Sequence, residues 1–197
     1  MQSESVKITV SSTGISIETP QKITFQCGLV QVPAANTAPA IGIPAIGKEW
    51  PDQGGIFAGI MRGENGNPDY YLIVATSPIA KTKLSWGGYG EETANANYAF
   101  DGLANTKALA DGKHPAADWA ASLNINGIND YYLPARRELS LCYANVPELF
   151  EKEWHWSSTQ YSAGGAYVQG FIGGSQISYR KGGGYRVRAV RRLLIIQ

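Results

Sequence analysis

The sequence predicts an α+β fold, and three observations carry that prediction. Alternating apolar runs flank an Asn65-Gly66 turn, two helix starts follow at Asp101 and at His114-Pro115, and residues 154–192 read as strands broken by glycine. A hairpin, then helices, then an all-β tail is not the alternation of a parallel α/β sheet, so the tail has to pair back onto the opening hairpin.

Composition narrows the class further. At 197 residues the chain is long enough for one well-buried domain and a small extension. With 44% hydrophobic and 17% charged residues it has the make-up of a folded chain rather than a disordered one. Its 23 glycines and 11% aromatic residues point to short strands joined by glycine turns. A net charge of +1 argues against nucleic acid as a partner. No apolar run reaches the roughly 18–20 residues that span a bilayer, so membrane insertion is not expected. The start, Met1-Gln2-Ser3-Glu4-Ser5-Val6-Lys7, lacks the basic-then-apolar layout of a secretory signal, so the expectation is a protein that is cytoplasmic before any assembly or is exported by a route its N-terminus does not show. Cys27 and Cys142 lie in different segments. Cys142, beside Leu139, Tyr143 and Val146 on a predicted helix, reads as a buried structural thiol rather than half of a bridge.

Taken in order, residues 1–32 form a small β segment for packing or assembly. Val6, Ile8 and Val10, then Ile15 and Ile17, then Ile23 and Phe25 alternate, with turns at Ser12-Thr13-Gly14 and Thr19-Pro20-Gln21. Residues 33–50 are rich in Pro and Ala and read as a semi-rigid linker. Within it, Gly42-Ile43-Pro44-Ala45-Ile46-Gly47-Lys48 has the glycine and lysine spacing of a phosphate loop. Glu49 stands where Ser or Thr would hold magnesium, and Trp50-Pro51 replace the helix, so nucleotide binding is not expected.

Residues 51–197 make the main domain. Gly55–Arg62 and Tyr70–Ala75 form a hairpin around Glu64-Asn65-Gly66-Asn67-Pro68-Asp69, and Ser85–Gly90 is a loop. Asp101 caps a helix running to about Ala110, which Gly112 stops, and a second helix spans Ala116–Leu123. Residues 124–130 are a turn cluster. Pro134 suits a first helical turn, with Arg136–Tyr143 completing that helix. The closing strand, Arg186–Leu194, is expected beside Ile56–Arg62, bringing the two ends of the domain together.

The motifs of this last third resemble a known family. Tyr132-Leu133-Pro134, then Glu138-Leu139, Trp156-Ser157-Ser158-Thr159, Phe171 followed by glycines, and Val187-Arg188-Ala189-Val190-Arg191 are similar to the signature of the DUF1566 family. The resemblance covers residues 50–192 and is greatest to prophage-encoded members. It implies a C-type lectin-like fold, related to formylglycine-generating enzymes and to phage tropism determinants. Ala135 stands where Thr is usual, which removes a hydroxyl cap from the helix. On that fold Trp154 and Trp156 are expected to pack in the core or along its edge. Glu138 and Arg188 form a candidate buried ion pair tying helix to sheet, and strand alternation puts Arg186 and Arg188 on one face.

The chemistry points to binding without a metal and without catalysis. From Trp156 to Gln197 there is no Asp, Glu or Asn, whereas calcium takes six to eight hard oxygen ligands. No thiol follows Cys142, so the cysteine pair of the related enzymes is lacking. His114 and His155 are too few for a histidine-rich metal site. A Ser157, His155 and Asp118 arrangement can be written, but neighbouring strand residues point to opposite faces. No cofactor, metal or enzymatic activity is expected.

The residues left for recognition are Gln160, Tyr161, Tyr167, Gln169, Phe171, Gln176, Ser178, Tyr179, Arg180, Lys181 and Tyr185, with Ser175 in the neighbouring turn. Tyrosine with Ser and Gly is the chemistry of adaptable contact surfaces. Alternation sets Tyr167, Gln169 and Phe171 on one face of a strand. The expectation is a calcium-independent module that binds a host-surface protein or glycan. The resemblance implies a phage or prophage tail-fibre setting, in the virion tail, and the fibre analogy allows a homotrimer. A structural or accessory virion protein without a ligand of its own is the alternative, followed by a divergent enzyme on the same fold.

Overall fold

The computed structural model describes residues 7–11, 14–18, 42–76 and 83–196, the first two as backbone alone. The chain divides into two compact units, with the boundary after residue 41. In the first, β1 (Lys7–Ser11) and β2 (Gly14–Glu18) pair antiparallel, with Ile8 opposite Ile17 and Val10 opposite Ile15. The runs expected around Ile8, Val10, Ile15 and Ile17 are therefore strands. The Ile23–Phe25 run, Cys27 and residues 33–41 of the linker lie outside the described residues.

The second unit is mixed α and β, with its paired strands antiparallel. It opens earlier than the sequence predicts, because residues 42–50 belong to it. Gly47 N–H donates to Phe57 O and Phe57 N–H to Lys48 O, leading into β3 (Glu49–Trp50) at the edge of a sheet. The hairpin forms as expected from β4 (Gly55–Met61) and β5 (Tyr70–Ala75), bulged between Phe57 and Gly59. Its turn hydrogen-bonds Asn67 N–H to Glu64 O, and Asn65 and Gly66 both take positive φ, 54° and 81°. Those angles are the ones an Asn-Gly pair tolerates at low cost. β6 (Leu84–Ser85) follows.

Helix α1 (Gly102–Leu109) starts where Asp101 Oδ1 accepts the Ala104 N–H, and α2 (Pro115–Ala121) has Pro at its first position. Helix α3 (Arg136–Asn145) begins two residues after Pro134, so that proline precedes the helix rather than sitting in its first turn. The hydroxyl cap that Ala135 cannot supply comes from outside: Thr159 Oγ1, on the neighbouring strand, accepts the Arg136 N–H at 3.0 Å. Glu138 Oε2 accepts the Ala135 N–H at 2.6 Å, half of a capping box. A 3-10 turn, Pro147–Leu149, leads to β7 (Trp154–Ser162), β8 (Gly165–Gly170), β9 (Gln176–Arg180), β10 (Gly184–Tyr185) and β11 (Val190–Leu194).

The closing strand corrects one expectation. β11 pairs with β5, Val190 opposite Val74 and Leu194 opposite Tyr70, and not with the Ile56–Arg62 strand. The sheet order is β11-β5-β4-β3, so β3 occupies the far edge of β4 and leaves the edge of β5 for the tail. The ends of the domain still meet, through the hairpin's second strand. A separate sheet, β7-β8-β9, and a short β10-β6 pair complete the unit.

Two clusters bury most of the apolar surface. One joins Trp86, Leu109, Leu133, Trp156 and Val168; the other joins Leu72, Val74, Tyr132, Leu139, Cys142, Phe150, Phe171 and Val190. Trp156 is fully buried, as expected, with its indole N–H on Leu84 O, and Cys142 is a buried free thiol. Burying a side chain of that size is worth roughly 2–3 kcal/mol.

The expected Glu138–Arg188 ion pair does not form. Glu138 Oε1 instead accepts two phenol hydroxyls, Tyr70 at 2.6 Å and Tyr132 at 2.7 Å. Arg188 is buried with Nε and Nη1 unpartnered among the described residues and lies 5.8 Å from the Phe150 ring centroid. Arg188 also falls outside any strand, so the alternation expected for Arg186 and Arg188 does not apply. Arg186 does pair, with Glu153 at 2.7 Å.

Candidate functional site

The strand register decides which predicted recognition residues share a surface. Across β8 and β9, Tyr167 faces Ser178 and Gln169 faces Gln176, while Ala166 faces Tyr179 and Val168 faces Ile177. Cross-strand partners lie on the same side of a sheet, so Tyr167, Gln169, Gln176 and Ser178 share one face and Tyr179 lies on the other. The eleven candidates therefore divide into three groups rather than forming one surface.

The first group is withdrawn from solvent. Gln160, Gln169, Phe171 and Lys181 are buried. Phe171 stacks on Phe150 with ring centroids 4.0 Å apart, and Gln169 donates to Gly170 O at 3.2 Å. Lys181 is fully buried, with Nζ donating to Glu91 O at 2.6 Å, Gln160 Oε1 at 2.8 Å and Gly88 O at 3.4 Å, and lying 4.7 Å from the Trp86 ring centroid. Burial holds this ammonium below the ordinary lysine value. Its backbone is committed to the same loop, its carbonyl accepting the N–H groups of Trp86 and Gly87. Gln160 and Lys181 thus position a loop instead of contacting a partner.

The second group gathers at helix α3. The Arg136 guanidinium lies 4.4 Å over the Tyr167 ring, Tyr161 meets Tyr167 edge-on at 5.4 Å, and Gln176 Nε2 donates to Arg136 O. Tyr161 is 60% exposed, and Ser178 is also on the surface.

The third group makes a concave site. Tyr179 and Tyr185 stack with ring centroids 4.9 Å apart and planes 22° apart. Each is braced from behind by an edge-on indole, Trp154 on Tyr179 at 5.6 Å and Trp156 on Tyr185 at 4.9 Å. Tyr179, Tyr185, Arg180, Gly182, Gly183 and Tyr89 line a groove of about 500 Å3. Burial raises the Tyr185 phenol above its ordinary value. At Gly183 an added Cβ would sit 2.9 Å from Tyr185 Cε2, so a side chain there would displace the tyrosine ring.

Tyr89 is the member that the sequence reading missed. It is 59% exposed and arrives from the loop after β6, far upstream in the chain. Gly90 N–H bonds Ala163 O at 2.9 Å, and Lys181 holds Gly88 and Glu91, which fixes Tyr89 beside Gly164. The available signal was composition: Gly87-Gly88-Tyr89-Gly90 is the same tyrosine and glycine mixture read as recognition further along.

The Ser157, His155 and Asp118 side chains are each committed elsewhere. Ser157 Oγ donates to Tyr167 O, His155 Nε2 meets Glu151 Oε2 at 3.1 Å, and Asp118 accepts the N–H groups of Gly112 and His114. Burial lowers His155 below the ordinary histidine value. Among the described residues no three His, Cys, Asp or Glu side chains converge on a common point, and no helix is long and apolar enough to cross a membrane. What the groove can do chemically is stack a flat or amphipathic group on tyrosine. No protein-family model matches the chain, and no curated protein matches it.

Proposed function

We propose that this chain is a calcium-independent binding module of the C-type lectin-like class. In this reading the Tyr89, Tyr179, Tyr185 and Arg180 groove contacts a host-surface glycan or protein at the tip of a phage or prophage tail fibre. The observation that carries the reading is the groove itself. Two stacked tyrosines are held rigid by tryptophans behind them, and a third is delivered by a tethered loop. Aromatic rings already fixed before contact lose little entropy on binding, which favours recognition over mere packing. The tail-fibre setting rests on the motif resemblance at residues 132–139, 156–159 and 187–191.

Calcium independence draws support from Lys181. The loop that carries Tyr89 is already tied by a cation, the ammonium that Glu91 O, Gly88 O and Gln160 Oε1 surround. Its order needs no added metal.

The test is adsorption of the labelled full-length chain to cells of candidate hosts, with and without EDTA. Tyr89→Ala and Arg180→Ala alter exposed side chains and should leave the melting temperature unchanged while weakening adsorption about tenfold or more. EDTA should change nothing. Equal adsorption by both variants would sink the groove reading, and no adsorption by the folded wild-type chain would leave the accessory virion role in its place.

A further inference from the structure

A second groove, sharing no lining residue with the tyrosine site, passes from the β4–β5 turn to the first turns of helix α3. It consists of two adjoining cavities of about 370 and 610 Å3 that have Arg62, Glu64 and Phe100 in common. Four arginines line it: Arg192 at one end, Arg62 in the middle, Arg136 and Arg137 at the other end. Only two carboxylates, Glu64 and Asp101, offset them.

The arginines are prepared for an anion. Arg192 is engaged with Asp101 at 3.1 Å, but Arg62, Arg136 and Arg137 form no ion pair with any of the described residues. Two of them are flattened against aromatic faces, Arg137 4.0 Å over Phe100 and Arg136 4.4 Å over Tyr167. Stacking restrains the planar fork and leaves its N–H edge free for a bidentate acceptor. Moreover, Arg136 Nε is buried without a hydrogen-bond partner among the described residues.

The remaining lining selects the ligand class. Amide side chains, Asn65, Asn67 and Gln176, and the ring of Tyr98 lie between the charges. Amides match hydroxyl groups and rings match the flat apolar faces of sugars, whereas charges set at intervals along an elongated groove match a repeating polyanion. We infer that this groove binds an anionic oligosaccharide, with carboxylate or sulfate groups on Arg62, Arg136 and Arg137. The inference holds whether or not the tyrosine groove binds anything.

The experiment is calorimetric titration of the full chain with three probes: oligogalacturonate for carboxylate, sulfated dextran for sulfate, and neutral dextran. The expected result is saturable binding of at least one anionic probe and none of neutral dextran, weakening as salt rises from about 50 to about 300 mM. Binding of only one anionic probe supports the inference and names the anion. Arg62 and Arg137 are exposed, so R62Q and R137Q should melt like the wild type, each weakening binding about tenfold. R137K, which keeps the charge but loses the stacked fork, should fall between them and the wild type. Tyr89→Ala, in the other groove, should bind as the wild type does. No binding of either anionic probe, binding indifferent to R62Q and R137Q, or poly-glutamate binding as tightly as either saccharide would overturn the inference.

Discussion

Replacing Glu138 is the sharpest probe of how the hairpin and helix α3 are held together within the second unit. Its carboxylate is fully buried and joins three parts of the chain: Tyr70 from β5, Tyr132 from the segment before α3, and the Ala135 N–H at the helix start. Those bonds measure 2.6, 2.7 and 2.6 Å. Glu138→Ala leaves the buried Tyr132 phenol and the Ala135 amide without an acceptor, each costing about 1–3 kcal/mol, and takes from Tyr70 its shorter bond, that hydroxyl keeping Phe100 O at 3.1 Å, while relieving the carboxylate's own burial. The expected net loss is about 3 kcal/mol, or about 6–12 °C in melting temperature for a unit of this size. A pH dependence accompanies it. Burial, the largest influence and one the three hydrogen bonds only partly offset, raises Glu138 from 4.5 to about 7. Between those values the folded protein keeps a proton that the unfolded chain has released. The contribution of Glu138 to stability is therefore fully present below about pH 4.5 and falls as pH rises to about 7, by about 3 kcal/mol, before levelling off. Urea unfolding of wild type and Glu138→Gln across pH 4 to 8 isolates this contribution, since the variant lacks the titrating group. A difference between the two that does not change with pH, or a Glu138→Ala variant within about 1 kcal/mol of wild type, would refute the reasoning.

Two further predictions concern buried cations. Lys181→Met should loosen the Tyr89 loop by freeing the Glu91 and Gly88 carbonyls; hydrogen exchange at residues 86–92 should rise, with a stability loss of about 2 kcal/mol. Unchanged exchange there would remove Lys181 from the role of tether. Arg188→Met should stabilise the fold by about 1–2 kcal/mol, because it replaces a buried guanidinium with two unpartnered nitrogens by an apolar chain of similar length. A clear loss in urea unfolding would mean that the guanidinium has an acceptor.

Local signals were legible wherever chemistry and conformation are set by neighbours in sequence. Asn65-Gly66 specified its own turn, Asp101 its own cap, and Trp156 its own burial. Long-range competition was not legible. Glu138 and Arg188 have opposite charges, but the amide at the helix's own start and two phenols took the carboxylate first. The closing strand went to β5 because β3 took the other edge of the hairpin, and β3 came from residues that read as linker. In the candidate site, Tyr179, Arg180 and Tyr185 were found from composition alone, and they do line one groove. Strand alternation separates Tyr167 from Tyr179, a division that treating residues 160–185 as one surface overlooked. Lys181 looked like a surface residue because lysine usually is one; only the folded loop supplies the carbonyls that make burying it tolerable.

The central claim is that the tyrosine groove is the recognition surface, and the Tyr89→Ala variant tests it most directly. Tyr89 lines the groove yet is largely exposed, so its removal leaves the buried clusters intact. Measured by adsorption to a host that the wild-type chain binds, the variant should lose about tenfold or more in affinity at an unchanged melting temperature. Full adsorption by the folded Tyr89→Ala protein would contradict the claim.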